Sequence, residues 1–296
     1  MYRIAVDIGG TFTDIVLEDK KSIISEKVLT TATNPEIGAI TGIQNITYAV
    51  LFIFLIHLLI FVPSYYFQTE KFFDLTGTIS YVSSVFFIFF KTNTVDSINL
   101  GSLALSTFII IWSLRLGTFL FLRIKKAGKD RRFNEIKKSF SWFFMTFSLS
   151  GMWVTICSIC ALTGIANGII FSSTTIIGII IFTIGFTIEI IADSQKTKFR
   201  AMDDNKDKFI SIGLWKYSRH PNYLGEIILW LGISLISFSS LEGLQYITLI
   251  SPIFTYLLLV NVSGINLLEK SGEKKWGHLD SYKSYKENTP RLIGFL

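Results

Sequence analysis

Beyond residue 45 the chain is a succession of long apolar runs separated by short polar breaks. Seven runs are long enough for membrane helices, at roughly 46–67, 75–90, 98–122, 140–161, 169–192, 224–241 and 244–267. The second is short, which predicts either half-insertion or a span with little tilt. Residues 2–43 follow a different rhythm. Ile4, Val6 and Ile8 alternate with other residues, Gly9-Gly10 marks a turn, and Ile15-Val16-Leu17 follows, which predicts strand–turn–strand. The pattern predicts an all-α polytopic membrane helix bundle of about seven transmembrane helices, with a short N-terminal β-hairpin fragment. The shift in character divides the chain into residues 1–45 and 46–296.

Composition agrees with the pattern. The 296 residues are 50% hydrophobic and include 27 Phe, and the mean hydropathy is +0.50, too apolar for an ordinary soluble domain. The net charge of +6 matters less than its placement. Segments 123–139, 193–219 and 269–296 hold 21 of the 28 Lys and Arg, whereas the breaks at 162–168 and 242–243 hold none. With seven helices these three segments fall on one side, and the positive-inside rule predicts that this side, with the C-terminus, is cytosolic and that residues 1–45 lie opposite. A juxtamembrane explanation of the charge leaves no role for nucleic acid; membrane lipids are the expected surroundings. The first 45 residues are polar and mixed, unlike a secretory signal peptide. Cys157 and Cys160 sit in an apolar run with no thiolate-stabilising group, so helix packing is expected of them rather than redox chemistry. Three His in the whole chain argue against a His-built metal site, and His57 is expected to be a hydrogen-bonded packing residue.

The densest chemistry is Lys216-Tyr217-Ser218-Arg219-His220-Pro221-Asn222-Tyr223-Leu224-Gly225-Glu226. In a membrane such groups are costly unless paired or liganded, so the cluster is a site candidate. Pro221 is suited to the first turn of a helix, and the helix N-terminus suits an anion. Other polar residues stand out against apolar surroundings. Arg115 lies inside a long apolar run, where a snorkelling role at the helix end is the plainer expectation. Glu189 and Asp193 share a helix face and are expected to pair with Lys196 or Arg200. His220 has capping or bridging of the helix start as its plainer role.

Two resemblances are carried by separated motifs. The stretch Asp7-Ile8-Gly9-Gly10-Thr11-Phe12-Thr13-Asp14, continued by Lys27-Val28-Leu29-Thr30-Thr31 and ending at Gly42-Ile43, resembles the N-terminus of the hydantoinase A/5-oxoprolinase family, where the Gly-rich hairpin belongs to an actin-like nucleotide site. One hairpin cannot wrap a nucleotide or bury a core, so a fused fragment without ATPase or hydantoinase activity is expected. From residue 50 onward a second set takes over: Gln68-Thr69-Glu70-Lys71-Phe72-Phe73-Asp74-Leu75-Thr76-Gly77, Trp112-Ser113-Leu114-Arg115-Leu116-Gly117, Asp130-Arg131-Arg132-Phe133, and Glu189 through Lys196 with Phe199-Arg200. The Ser-Arg-His-Pro-Asn-Tyr segment, Lys275-Trp276-Gly277 and Thr289-Pro290 complete it. This part resembles the domain-of-unknown-function family 1295, which is similar to the C-terminal domain of steroid 5-alpha-reductases and, more distantly, to isoprenylcysteine carboxyl methyltransferases.

The resemblance implies an integral membrane oxidoreductase that uses NADPH to reduce a C=C bond in a lipid-like small molecule, a steroid, prenoid or fatty enone. It makes Arg115, Arg200, Arg219 and His220 candidate phosphate partners, with Lys196 in the same motif. Asp193, Gln195 and Asn222 become candidates for ribose or amide groups, and Tyr217 for stacking. Tyr223, oriented by Glu226 three residues on, is the candidate catalytic donor, and Glu70 is its competitor. Three alternatives stay open: an S-adenosylmethionine-dependent methyltransferase of the isoprenylcysteine or phospholipid type, a non-catalytic lipid-binding protein, and a hydantoinase-like ATPase, which residues 2–43 are too short to build. No metal is expected.

Overall fold

The computed structural model describes residues 3–8, 12–19, 22–29, 35–94, 97–130 and 132–294, with side chains from residue 43 onward. It divides into two compact units, Met1–Ala49 and Val50–Leu296. In the first, β1 (Arg3–Ile8), β2 (Phe12–Asp19) and β3 (Ser22–Leu29) form an antiparallel sheet in sequence order. Ala5 faces Val16 across the first pair, and Leu17 faces Ile24 across the second. The expected hairpin is thus extended by a third strand, whose Ser-Ile-Ile-Ser-Glu run carries too little strict alternation to announce itself. The expected turn at Gly9-Gly10, and Thr11 after it, lie outside the described residues.

The rest is a polytopic bundle. Its helices are α1 (Pro35–Tyr66), α2 (Phe73–Thr92), α3 (Leu100–Ala127), α4 (Phe133–Ile136), α5 (Phe140–Asn167), α6 (Ser173–Ala201), α7 (Pro221–Phe238), α8 (Ile250–Leu257), α9 (Ile265–Trp276) and α10 (Asp280–Asn288). Among the described residues seven segments are long and apolar enough to cross a membrane: Ile43–Tyr66, α2, α3, α5, α6, α7 and the composite Gly243–Trp276. Ile176, Ile177, Ile180 and Ile184 of α6 are exposed, which is where a lipid-facing helix places its apolar side chains. The chain is therefore an integral multi-pass membrane protein in contact with lipid.

Two elements differ from the sequence reading. The second helix is longer than expected: at 20 residues it measures about 30 Å, a full hydrocarbon span. Its outer turns carry Asp74 and Lys91, which interrupt the apolar run but not the helix. The last span, in contrast, is broken. A 3₁₀ turn (Gly243–Leu249) leads into α8, a π turn (Leu258–Val262) follows, and α9 begins only after Gly264. A Cβ at Gly264 would lie 2.1 Å from the Leu259 carbonyl oxygen, so the chain folds back there in a way that needs glycine.

The α6–α7 pair positions the chemistry. Gly178 and Gly185 of α6 meet Gly232 and Gly225 of α7 backbone to backbone: a Cβ on Gly185 would lie 2.6 Å from the Gly225 carbonyl oxygen, and one on Gly178 2.7 Å from that of Gly232. Small residues at this spacing let two helices approach closely in lipid, where packing replaces the hydrophobic effect as the driving force. The contact is antiparallel, so the polar end of α6, with Glu189 and Asp193, lies beside the start of α7.

Candidate functional site

Three groups of side chains gather around the start of α7. The first is a charged clamp between α3 and α6. Arg115 donates through Nη1 to Glu189 Oε1 (2.5 Å) and through Nη2 to Asp193 Oδ2, and Trp112 Nε1–H donates to Glu189 Oε2 at 3.1 Å. Glu189 and Asp193 are buried. Arg115 therefore neither snorkels nor stands free, and the two acids pair with Arg115 rather than with Lys196 or Arg200. The hydropathy of α3 cannot show this, because the partners lie 74 and 78 residues away in sequence.

The second group is the mouth of α7. Pro221 opens the helix and His220 precedes it without capping it by its side chain. The segment is held from behind by the C-terminal tail: Arg219 N–H donates to the Pro290 carbonyl (2.9 Å), His220 N–H to that of Arg291 (3.2 Å), and Arg219 Nη1 to that of Lys286 (2.9 Å). Glu269 on α9 then takes both side chains, accepting from His220 Nε2 at 2.7 Å and pairing with Arg219 Nη2 at 3.3 Å. A carboxylate only accepts, so His220 carries its proton on Nε2. Burial holds the imidazole below its usual 6.5, against the opposing pull of Glu269, and the ring is neutral with Nδ1 a bare acceptor. Three buried polar atoms here have no partner: Arg219 Nε, His220 Nδ1 and Asn222 Oδ1. Buried polar groups are nearly always satisfied, so three orphans within four residues make this mouth a candidate ligand site.

Around this mouth the remaining candidates divide. Gln195 Oε1 accepts from Leu214 N–H (2.9 Å) and so pins the turn before the motif. Lys196 lies over the Trp215 ring, 4.4 Å from its centroid, and Lys196, Arg200 and Arg123 stand within electrostatic range of one another; none of the three makes a salt bridge among the described residues, although Asp193 lies within range of Lys196. Arg123 was not among the sequence-based candidates, since it counts there as one of eight cations in a basic loop. Tyr217 points outward and is exposed. Glu70 is committed elsewhere: it is buried, accepts from Lys137 Nζ (2.5 Å) and from Asp130 N–H (2.9 Å), and joins the α1–α2 turn to the loop before α5. Burial raises its carboxyl, but Lys137 and the Asp130 amide outweigh burial and leave it below its usual 4.5.

The third group is a cavity of about 230 Å³ inside the bundle, walled by α2, α3, α5, α7, α8 and the π turn. Tyr81, Trp112, Trp153, Cys157 and Thr255 line it, and so do two acids, Asp74 and Glu226. Asp74 Oδ2 is buried without a partner, and Glu226 makes no hydrogen bond or ion pair among the described residues. Tyr223 shares a helix face with Glu226 but is joined to it by no hydrogen bond, and only Glu226 reaches the cavity. Trp112 and Trp230 meet edge to face at 5.1 Å and Tyr81 packs against both, which separates the cavity from the α6–α7 seam. His57 is a packing residue, bonded to the Ile53 carbonyl at 2.9 Å and Ser150 Oγ at 3.2 Å. Cys157 and Cys160 are buried free thiols, and Thr255 donates to Cys157 Sγ at 3.4 Å. No group of three or more metal-binding side chains occurs among the described residues.

Comparison with known proteins follows the same division of the chain. The hydantoinase/oxoprolinase N-terminal region matches residues 3–51. An uncharacterized protein of Methanocaldococcus jannaschii is 49% identical over 46 residues, which is 15% of this chain and 7% of that protein, so the chain spans less than a tenth of that relative's length. No solved structure matches the chain. The family described as "Protein of unknown function (DUF1295)" matches residues 60–289, and the chain belongs to it.

Proposed function

We propose that this member of the DUF1295 family is an NADPH-dependent membrane reductase acting on a C=C bond conjugated to a carbonyl in a lipid-like substrate. The observation that carries the reading is the placement of α7. Its first residues form a polar mouth with unsatisfied buried atoms, and Glu226, a turn and a half further along, opens into a cavity inside the bundle. One helix thus joins a place for a polar cofactor to a place for an apolar substrate. The cations Arg123, Lys196 and Arg200 make no salt bridge among the described residues and suit a ligand carrying phosphates, while Arg219 Nε and the acceptors His220 Nδ1 and Asn222 Oδ1 suit its ribose and amide groups. The excess of Lys and Arg in the neighbouring segments supports a cytosolic side for this mouth, where the cofactor is available.

When bound, NADPH supplies a hydride to the carbon far from the carbonyl. The chain's own residues do the rest. The clamp of Arg115, Glu189 and Asp193 holds α3 against α6 and keeps the floor of the mouth rigid. The aromatic wall of Tyr81, Trp112 and Trp230 limits water, which protects a hydride donor from side reactions. Glu226, the acid that reaches the cavity from α7, is placed to hold the proton that completes the reduction; Tyr223 is the second candidate donor.

The test is ligand-induced stabilisation of the purified full chain. A ligand that binds only the folded state raises stability by about 2.7 kcal/mol at a hundredfold over its dissociation constant. NADPH is expected to give such a shift, and Arg219→Ala to abolish it. A shift with S-adenosylmethionine and none with NADPH would transfer the site to the methyltransferase class. NADPH binding without turnover of any enone lipid would leave a cofactor-binding protein that is not a reductase.

A further inference from the structure

The bundle cavity has an unusual electrical character. Two carboxyl groups line it, Asp74 from the first turn of α2 and Glu226 from α7; Asp74 Oδ2 is buried without a hydrogen-bonding partner, and Glu226 makes no side-chain hydrogen bond or salt bridge among the described residues. No Lys, Arg or His is among the described lining residues. The other polar groups are the hydroxyls of Thr78, Tyr81, Ser113, Ser150, Thr255 and Ser263, with two indole N–H groups and one thiol, and the remaining wall is apolar and aromatic. Buried acids without partners in an apolar chamber are rare and costly, and they mark ligand sites.

We infer that this cavity is a lipid headgroup site selective for an uncharged, oxygen-bearing end, a carbonyl or hydroxyl, and that it rejects anionic lipids. A carbonyl accepts from a hydroxyl or from a protonated acid, and a hydroxyl can also donate to a carboxylate, so an uncharged oxygen satisfies the wall whichever protonation state the acids adopt. A carboxylate or phosphate would be buried beside two acids with no cation in the wall to meet it, since the nearest guanidinium groups, Arg115, Arg123 and Arg132, lie behind the lining and already face Glu226 and Asp74. Size supports a headgroup site. About 230 Å³ falls below the usual range for a drug-sized ligand, so the cavity houses the polar end and first carbons, with the rest of the chain in the bilayer or between helices. The inference names a substrate class for the reductase reading and rests on it: among steroid, prenoid and fatty substrates it selects neutral ketones and aldehydes over fatty acids and prenyl phosphates.

Gly77 offers a variant that blocks the cavity and still folds. It lines the chamber, and a Cβ placed there meets nothing within 4 Å. A larger side chain at this position grows into empty space on a helix it also favours. The experiment uses the full chain in phosphatidylcholine nanodiscs, without cofactor, and four probes of equal length: 2-octanone, 1-octanol, octanoate and octylamine. Saturable thermal stabilisation is expected from octanone and octanol, with octanoate about tenfold weaker or more. Gly77→Leu should remove the response to the neutral probes. Asp74→Asn with Glu226→Gln should narrow the gap between octanol and octanoate. Octanoate binding as tightly as octanol, tightest binding by octylamine, a response that survives Gly77→Leu, or no saturable response to any probe would each overturn the inference. Because no cofactor is present, failure of NADPH to bind would sink the reductase reading without deciding this one.

Discussion

Gly225 of α7 lies against Gly185 of α6 so closely that a Cβ on Gly225 would sit 2.6 Å from both the Gly185 carbonyl oxygen and the Glu189 amide nitrogen. Glu189 is also the acid that Arg115 holds, so the same seam sets helix distance and charge placement. Gly225→Ala should lower stability by about 1–3 kcal/mol through overpacking, although alanine is the better helix former. Gly77→Ala is the internal control: it meets open space and should be neutral or slightly stabilising. Thermal unfolding of the two variants in one detergent compares them directly. Equal losses would mean that the α6–α7 contact is looser than described.

The Arg115 clamp makes a second prediction. Removing the guanidinium leaves Glu189 and Asp193 buried without a salt-bridge partner, and breaking a buried pair from one side typically costs about 3–5 kcal/mol. Arg115→Met should therefore be severe. Replacing all three, Arg115→Met with Glu189→Leu and Asp193→Leu, should recover most of that loss, because it also removes the stranded charges. If the triple variant is no better than the single one, the acids are satisfied by something other than Arg115.

His220 gives a pH dependence of defined sign. Its folded-state value lies below 6.5, first through burial and against the favourable Glu269, with Lys196 and Arg219 nearby also disfavouring a second proton. As pH falls, the unfolded chain takes up the proton first. The His220 contribution to stability is therefore complete above about pH 6.5 and disappears as pH drops through the folded value. Melting temperature should fall on acidification below 6.5, and His220→Gln should flatten that slope while leaving the separate loss below about 4.5, where Glu70 begins to protonate in the unfolded chain. Nitrogen-15 spectra of the histidines should show His220 in the Nε2–H form at neutral pH; a proton on Nδ1 contradicts the geometry around Glu269.

The unpaired cations predict a salt signature. Arg123→Ala, Lys196→Ala and Arg200→Ala should each weaken NADPH by about fivefold to tenfold and lessen its salt sensitivity, with little effect on S-adenosylmethionine. Isothermal titration at two ionic strengths reads this out. Uniform weakening of both ligands would point to a general disturbance of the mouth.

The sequence by itself determined the membrane-embedded helical architecture. Seven long apolar runs leave few other folds, because backbone polar groups in lipid must be satisfied within each segment. It also marked the Ser218–Glu226 stretch, since Arg, His, Asn and Glu together beside an apolar helix stand out in any reading. Tertiary structure decided the rest. Arg115 looked like a lone charge until the fold placed Glu189 and Asp193 on it, and Glu70 looked like a catalytic candidate until Lys137 and Asp130 occupied it. The cavity draws Asp74, Tyr81, Trp112, Cys157, Glu226 and Thr255 from five helices, and no local spacing connects them. The helix break at Gly264 falls inside the apolar run, which continues through Ile265, Leu267 and Leu268, and so it left no mark on the pattern. Hydrophobic periodicity reports which segments enter the membrane, because that depends on each segment alone. Which polar groups are partnered, and which are left without a partner, depends on pairs of residues far apart in the chain, and only packing brings those pairs together.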